Sequence, residues 1–214
     1  MEFFNNNWIY ILGFFAQSLF GARLVAQLII SERRGKVVSP AIYWQLGLAG
    51  SFLFLIYGII RNDIVIIFGQ SLSYFIYIRN LQLKNLWMVL PSPARISLFF
   101  MPAVALAWIL LEGTKLDAIF ASSNLSDPIV AIGAVGQLLL NLRYVYQWIY
   151  SEKKNESLLP VGFWIISASA SAMIIGYSWF RNDPVLLVSQ GMGIFIYLRN
   201  IFLHWRPRKT APCV

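Results

Sequence analysis

Residues 16–32, AQSLFGARLVAQLIISE, and residues 136–152, GQLLLNLRYVYQWIYSE, decide how this chain is organised. They lie 120 positions apart and agree at Gln17/Gln137, Arg23/Arg143, Gln27/Gln147, Ser31/Ser151 and Glu32/Glu152. Working outward without a gap, Gly13–Leu83 and Gly133–Leu203 also share Pro40/Pro160, Trp44/Trp164, Tyr57/Tyr177, Arg61/Arg181, Asn62/Asn182, Asp63/Asp183, Gln70/Gln190, Tyr77/Tyr197, Arg79/Arg199 and Asn80/Asn200. Chance agreement in an apolar chain would fall on Leu and Ile. Here the polar residues agree best, which marks a duplicated unit.

With 58% hydrophobic and 12% charged residues in 214, the chain has too little polar surface to cover a soluble domain of its size. An integral membrane protein is expected. Its net charge of +8 sits in short loops between apolar runs, so anionic lipid headgroups rather than nucleic acid are the expected counterpart. Cys213 stands alone, which excludes a disulfide within the chain, and His204 beside Trp205 has no neighbouring ligand, so no metal site is expected. Met1–Asn7 holds Glu2 and no basic residue, and Arg23 interrupts the apolar run that follows; a cleaved signal peptide is not expected.

Seven stretches meet or approach the roughly 20 apolar residues that span a bilayer as a helix. They are Trp8–Ile30, Pro40–Ile60, Ile64–Leu81, Ile96–Leu111, Pro128–Tyr150, Leu159–Phe180 and Pro184–Leu203. If all seven cross, one side of the membrane receives Arg33, Arg34, Lys36, Arg79, Lys84, Arg95, Lys153, Lys154, Arg199, Arg206, Arg208 and Lys209. The other receives only Arg61, Lys115 and Arg181. Basic loops face the cytoplasm, so the amino terminus is placed outside and the carboxyl terminus inside. The expected fold is all-α and integral to the membrane, seven helices as three plus one plus three. Residues 8–83 form the first three-helix repeat, 84–127 a linker with the fourth helix, 128–203 a second repeat parallel to the first, and 204–214 a basic tail.

The turns carry matching signals. Arg61-Asn62-Asp63 and Arg181-Asn182-Asp183-Pro184 read as hairpins in which Asn or Asp caps the next helix, and Ser126-Asp127-Pro128 opens the fifth helix in the same way. Trp44 and Trp164, four residues past their prolines, read as aromatic anchors at the membrane interface. Ser31-Glu32-Arg33-Arg34 and Ser151-Glu152-Lys153-Lys154 read as cytoplasmic loops whose glutamates pair with a basic side chain or a headgroup. Arg79 and Arg199 read as helix-ending cations. Gly47, Gly50 and the Ser/Ala alternation of Ser167–Ala172 predict a second helix in each repeat that packs closely.

Arg23 and Arg143 are the strongest candidates for a site, because a cation about 12 Å inside a helix end is costly in lipid without a partner or water. Gln27 and Ser31, and Gln147 and Ser151, follow at four-residue steps on the same face. Two readings fit: arginines that snorkel and hold the repeat together, or guanidinium forks for an anion such as phosphate. Gln70, Tyr77 and Asn80 share a face of the third helix, as do Gln190, Tyr197 and Asn200, either as interhelical glue or as a cavity lining. With Gln17 and Gln137 they complete the candidate substrate-binding set. A glycine-rich phosphate loop, a membrane carboxylate pair and a nucleophile with a histidine partner are all missing, which argues against an enzyme and implies no cofactor.

The run Gly136-Gln137, Arg143, Gln147, Ser151-Glu152, Pro160, Trp164, Tyr177, Arg181-Asn182-Asp183-Pro184, Gln190 and Tyr197-Leu198-Arg199-Asn200 resembles the lipid A biosynthesis N-terminal domain family, found on some lipid-A-disaccharide synthases and as stand-alone membrane proteins. The first copy departs at Ala16 and Ile64. That family is similar to the PQ-loop and SWEET group, whose members are parallel-repeat transporters. The resemblance implies a bacterial inner-membrane protein of lipid A or lipid-linked glycan biosynthesis that binds and translocates a phosphorylated or sugar-bearing lipid. Membrane lipids or a lipid-linked sugar are then the partners, with room for an oligomer. Two alternatives stay open: an anchor or accessory subunit of a glycosyltransferase that docks on the basic loops, and a small-sugar transporter of the SWEET kind.

Overall fold

The computed structural model describes residues 2–61, 64–111, 127–182 and 184–206. The expected caps at Asn62, Asp63 and Asp183, the loop residues Lys115 and Ser126, and Arg208, Lys209 and Cys213 of the tail lie outside them. The described residues form seven α-helices and no strand. These are α1 (Glu2–Arg34), α2 (Ala41–Ile60), α3 (Ile64–Leu83), α4 (Ser92–Leu111), α5 (Pro128–Lys154), α6 (Val161–Phe180) and α7 (Pro184–Trp205), with a one-turn 3-10 helix at Trp87–Val89 ahead of α4. Among the described residues, four are long and apolar enough to cross a bilayer: α1 over Ile11–Arg34, α2, α5 and α6.

Helix ends follow local chemistry. Asp127 caps α5, its Oδ1 accepting from the Ile129 N–H at 2.9 Å, with Pro128 at the first helical position. The Ser-Glu-basic stretches are not loops, as their charge had suggested, but the last turns of α1 and α5. Each helix continues until a residue adopts a left-handed backbone, Gly35 at φ +61° and Asn155 at φ +50°. There the Gly35 N–H reaches the Glu32 carbonyl and the Lys36 N–H that of Ser31; Asn155 and Glu156 make the same two bonds to Glu152 and Ser151. This pairing satisfies the last carbonyls, and Gly and Asn adopt that conformation most readily.

The chain forms two compact units. Unit 1 comprises Met1–Leu24, Ala41–Asn124 and Ser151–Ser157; unit 2 comprises Val25–Pro40, Leu125–Tyr150 and Leu158–Val214. Each is therefore built mostly from one repeat and receives from the other repeat the end of its first helix.

In unit 1, α2 packs on α3, and both pack on α4. The first part of α1 approaches α2 closely, because Gly50 lets Phe20 and the Ala16 carbonyl come near: an added Cβ would lie 2.9 Å from the Phe20 ring and 3.3 Å from that oxygen. In unit 2 the corresponding contact joins α5 and α6, with the small residue on the opposite helix. A Cβ at Gly136 would lie 3.0 Å from the Ala170 carbonyl and 2.9 Å from Ile174. The departure of the first copy at Ala16 is thus compensated, since Ala16 faces Gly50 where Gly136 faces Ala170. The predicted close packing of the second helix holds in both units.

Trp44 and Trp164 are not interface anchors. Both are fully buried, edge-on to Tyr43 at 4.8 Å and to Phe163 at 5.0 Å. Their rings also lie against Tyr77 and Tyr197, which places them in the walls of the arginine sites.

Candidate functional site

In unit 1, α1 carries Arg23 into a box of rings. The side chain is 5% exposed, and its guanidinium carbon lies 4.7 Å from the Phe20 ring centre, 5.3 Å from Tyr43 and 5.2 Å from Tyr77. Nη1 donates to the Tyr77 hydroxyl at 2.5 Å. Gly47 leaves the space for this, since a Cβ there would sit 3.0 Å from Nη1. A guanidinium over an aromatic face gains about 0.5–2 kcal/mol, more when desolvated, so the rings offset part of the cost of burial.

Unit 2 repeats the box with one change. The Arg143 guanidinium carbon lies 5.0 Å from Tyr144, 5.2 Å from Phe163 and 5.3 Å from Tyr197. Ser167 stands where unit 1 has Gly47, and its hydroxyl accepts from Arg143 Nη1 at 2.9 Å while donating to the Phe163 carbonyl at 2.6 Å. In unit 1 the guanidinium donates to the Tyr77 hydroxyl; in unit 2 it donates to the Ser167 hydroxyl and, at 3.4 Å, to the Tyr144 hydroxyl. Rings and hydroxyls hold and orient each cation.

The other candidates divide by environment. Gln70 accepts from Ser51 at 2.9 Å and Gln190 from Ser171 at 2.8 Å, bonding α2 to α3 in unit 1 and α6 to α7 in unit 2. Ser51 and Ser171 coincide across the repeats but sit among many small residues, so nothing local marked them. In unit 2, Gln27 and Asn200 form a reciprocal amide pair, Gln27 Nε2 to Asn200 Oδ1 at 2.8 Å and Asn200 Nδ2 to Gln27 Oε1 at 3.1 Å. Gln27 also donates to Ser31, which accepts from the Val38 N–H. Gln147 donates to the Leu158 carbonyl at 2.8 Å. In unit 1, Asn80 accepts from Ser157 at 2.8 Å. These fully buried amides tie Asn200 to α1 and Asn80 to the segment after α5, while Gln27 and Gln147 each also hold the segment that follows their own helix. Gln17 and Gln137 stand exposed on α1 and α5, on the face that carries Phe14 and Leu138.

At the same end of each unit lies a forked ion pair. In unit 1, Arg79 grips Glu152 through Nε to Oε1 and through Nη2 to Oε2 at 2.8 Å. In unit 2, Arg199 grips Glu32 in the same way, with Nη2 to Oε2 at 3.0 Å. The glutamates that sequence marked as paired thus meet the arginines that sequence marked as helix ends, each from the other repeat. Among the described residues no three metal-ligating side chains gather. What the two boxes do is hold a buried guanidinium in fixed orientation, and a guanidinium so held has the planar donor geometry that suits an oxyanion.

A family model for the Lipid A Biosynthesis N-terminal domain matches the chain at residues 12–82 and again at 132–202. Lipid-A-disaccharide synthase of Chlamydia muridarum (strain MoPn / Nigg) is 30% identical over 216 residues, which covers 96% of this chain and 35% of that protein. The Chlamydia trachomatis serovar D protein of the same name is 30% identical over 218 residues with the same coverage. That of Chlamydia pneumoniae is 26% identical over 213 residues, 95% of this chain and 35% of its own. No solved structure matches. The chain therefore spans about 35% of the length of these relatives, and with both of its repeats matched it belongs to the Lipid A Biosynthesis N-terminal domain family.

Proposed function

We propose that this membrane protein serves lipid A biosynthesis by holding the phosphate of a sugar-bearing lipid at its caged arginines and moving that lipid across the bilayer. The observation that carries the reading is the pair of guanidinium groups buried inside helices, each aimed by three aromatic rings. A charge in that position is costly unless it does something. Tyr77 and Tyr197 orient the cations, Gln70 and Gln190 lie on the same helices to meet sugar hydroxyls, and a second copy of the box gives the substrate a second holding point. The inner membrane, with the basic loops in the cytoplasm and seven crossings as three plus one plus three, is the setting.

The test is flux of a fluorescent polyprenyl-phosphate sugar and of a fluorescent phosphorylated lipid A precursor through proteoliposomes. Arg23→Gln and Arg143→Gln are expected to cut flux of one of them by about tenfold or more, the loss of a single charge-assisted contact of ~1.5–3 kcal/mol. Folded variants that move both probes as fast as the parent protein overturn the proposal.

The relatives' length favours a second reading, since the matched region is 35% of proteins named as synthases. In it the chain is a membrane module on which a glycosyltransferase docks, through Lys153 and Lys154, which are exposed at the end of α5. Co-purification with a glycosyltransferase, lost in Lys153→Glu/Lys154→Glu and kept in Arg143→Gln, distinguishes the two.

A further inference from the structure

Unit 1 contains a cavity of about 300 Å³ that neither arginine box shares. One wall is a single face of α2, Gln45, Leu48, Ala49 and Phe52, at positions i, i+3, i+4 and i+7. The facing wall is Leu86 and Leu90, from the turn around the 3-10 helix, and Leu98 of α4. Among the described residues that line it, Gln45 alone is polar. The α2 face runs about 10 Å along the helix axis at ~1.5 Å per residue. At roughly 30 Å³ per small group the space takes about ten non-hydrogen atoms. A polar ligand would leave its groups unsatisfied against leucine, and an apolar cavity of this kind stays dry. In a membrane the neighbouring medium offers one abundant slender apolar group, the acyl chain.

Charge beside the cavity narrows the occupant. Lys84 lies between Leu81 and Leu86, both of which line the space, and Arg95 lies one turn before Leu98. The Arg95 guanidinium is held at the surface end of α4 by Met88 Sδ and by the Ser92 hydroxyl at 3.1 Å. The beginning of α4 adds its positive dipole end at the same place. An apolar slot with basic residues on the adjoining segments complements a lipid with an apolar tail and an anionic head. We propose that unit 1 binds one acyl chain of an anionic phospholipid between α2 and the turn leading into α4, with its phosphate at Lys84 and Arg95.

The second repeat does not carry the same wall. Ile165, Ala168, Ser169 and Ala172 occupy the positions of Gln45, Leu48, Ala49 and Phe52, so the slot belongs to the first repeat and divides the labour of the two copies. It does not rest on the arginine boxes: no residue lining it contacts Arg23 or Arg143 in the interactions described above, and its test measures binding, not flux.

The experiment uses the full chain in phosphatidylcholine nanodiscs doped with phosphatidylglycerol bearing a diazirine midway along one acyl chain, with adducts mapped by mass spectrometry. Adducts are expected to concentrate on residues 45–52 and 86–98. Ala49→Phe fills the slot from an exposed position and is expected to reduce them about tenfold, equivalent to roughly 1.4 kcal/mol of lost affinity. Ser169→Phe, at the matching place on α6, leaves them unchanged. Lys84→Ala/Arg95→Ala is expected to bring labelling by phosphatidylglycerol down to the level of a phosphatidylcholine probe with the same diazirine. Adducts no denser there than on the exposed Phe14 and Phe195 overturn the proposal from the unsubstituted protein alone. So does labelling that Ala49→Phe does not lower, or a neutral probe that labels the slot as well as the anionic one.

Discussion

Gly136→Ala and Ala170→Gly test whether the repeats preserve one interhelical contact by exchanging the small residue. A Cβ at Gly136 would stand 2.9 Å from Ile174 Cγ1, 3.0 Å from the Ala170 carbonyl oxygen and 3.2 Å from Met173 Cβ. The oxygen is backbone and cannot rotate away, so α5 and α6 must separate slightly. Overpacking of this kind costs about 1–3 kcal/mol, while Gly→Ala in a helix returns about 1 kcal/mol of propensity. The single variant should therefore lose about 1 kcal/mol. Ala170→Gly alone should lose a similar ~1 kcal/mol of propensity. In the double variant the propensity terms cancel and the contact becomes that of Ala16 with Gly50, already present in unit 1. Additivity predicts a loss of about 2 kcal/mol, the compensation argument a loss near zero, and coupling between touching residues commonly reaches ~0.5–3 kcal/mol. The assay is thermal unfolding in detergent followed by tryptophan fluorescence, where 1 kcal/mol moves Tm by roughly 2–4 °C for a chain of this size. Each single variant should drop by about that much and the double should return close to the parent. A double variant that falls by the sum of the singles refutes the reasoning.

Three further substitutions, two of them with a control, probe the other contacts. Trp164→Ala removes a fully buried ring from the wall of the Arg143 box and should cost about 3–5 kcal/mol. Trp179→Ala, at a 71% exposed site, should stay within ~0.5 kcal/mol by the same melting assay. Glu152→Gln weakens the fork to Arg79, whose members are 32% and 41% exposed; solvent screening holds the expected loss to about 0.5–1 kcal/mol, shrinking in high salt. Gly35→Ala forces a side chain into the left-handed backbone at φ +61° and should cost about 1 kcal/mol. The same melting curves should show no comparable loss for Gly21→Ala, where an added Cβ meets nothing within 4 Å.

The run of helices and the duplication were legible because both are written locally, in the length of apolar stretches and in the spacing of polar ones. Burial was not. In water an apolar residue points inward, but beside lipid an apolar face is as well placed outside as in, so Phe14 at 76% exposure and Trp44 at zero look alike in sequence. That is why Trp44 and Trp164 read as interface anchors. Arg23 and Arg143 stood out because a charge in mid-helix is costly in any arrangement. What holds them did not, since Tyr43, Phe163 and the Gly47/Ser167 exchange act across helices, where spacing carries no information. Glu32 and Glu152 announced a pairing by recurring among cations, yet nothing local said which arginine would answer.

That last point bears on how the duplication works. Had each repeat been self-sufficient, Glu32 would meet Arg79 and Glu152 would meet Arg199, the partners nearest in sequence. Instead Glu152 is gripped by Arg79 inside unit 1 and Glu32 by Arg199 inside unit 2. Ser157 likewise bonds to Asn80, and Gln27 to Asn200. All of these residues except Ser157, whose place in the first copy is taken by Val37, recur at the matching place in the other copy, so the ion-pair exchange is encoded twice. A three-helix repeat alone would lack the segment that covers its third helix, leaving Asn80 or Asn200 buried with fewer partners at a cost of about 1–3 kcal/mol each. The second copy supplies that segment, and this gives the duplication a structural reason that holds whatever the arginine boxes bind.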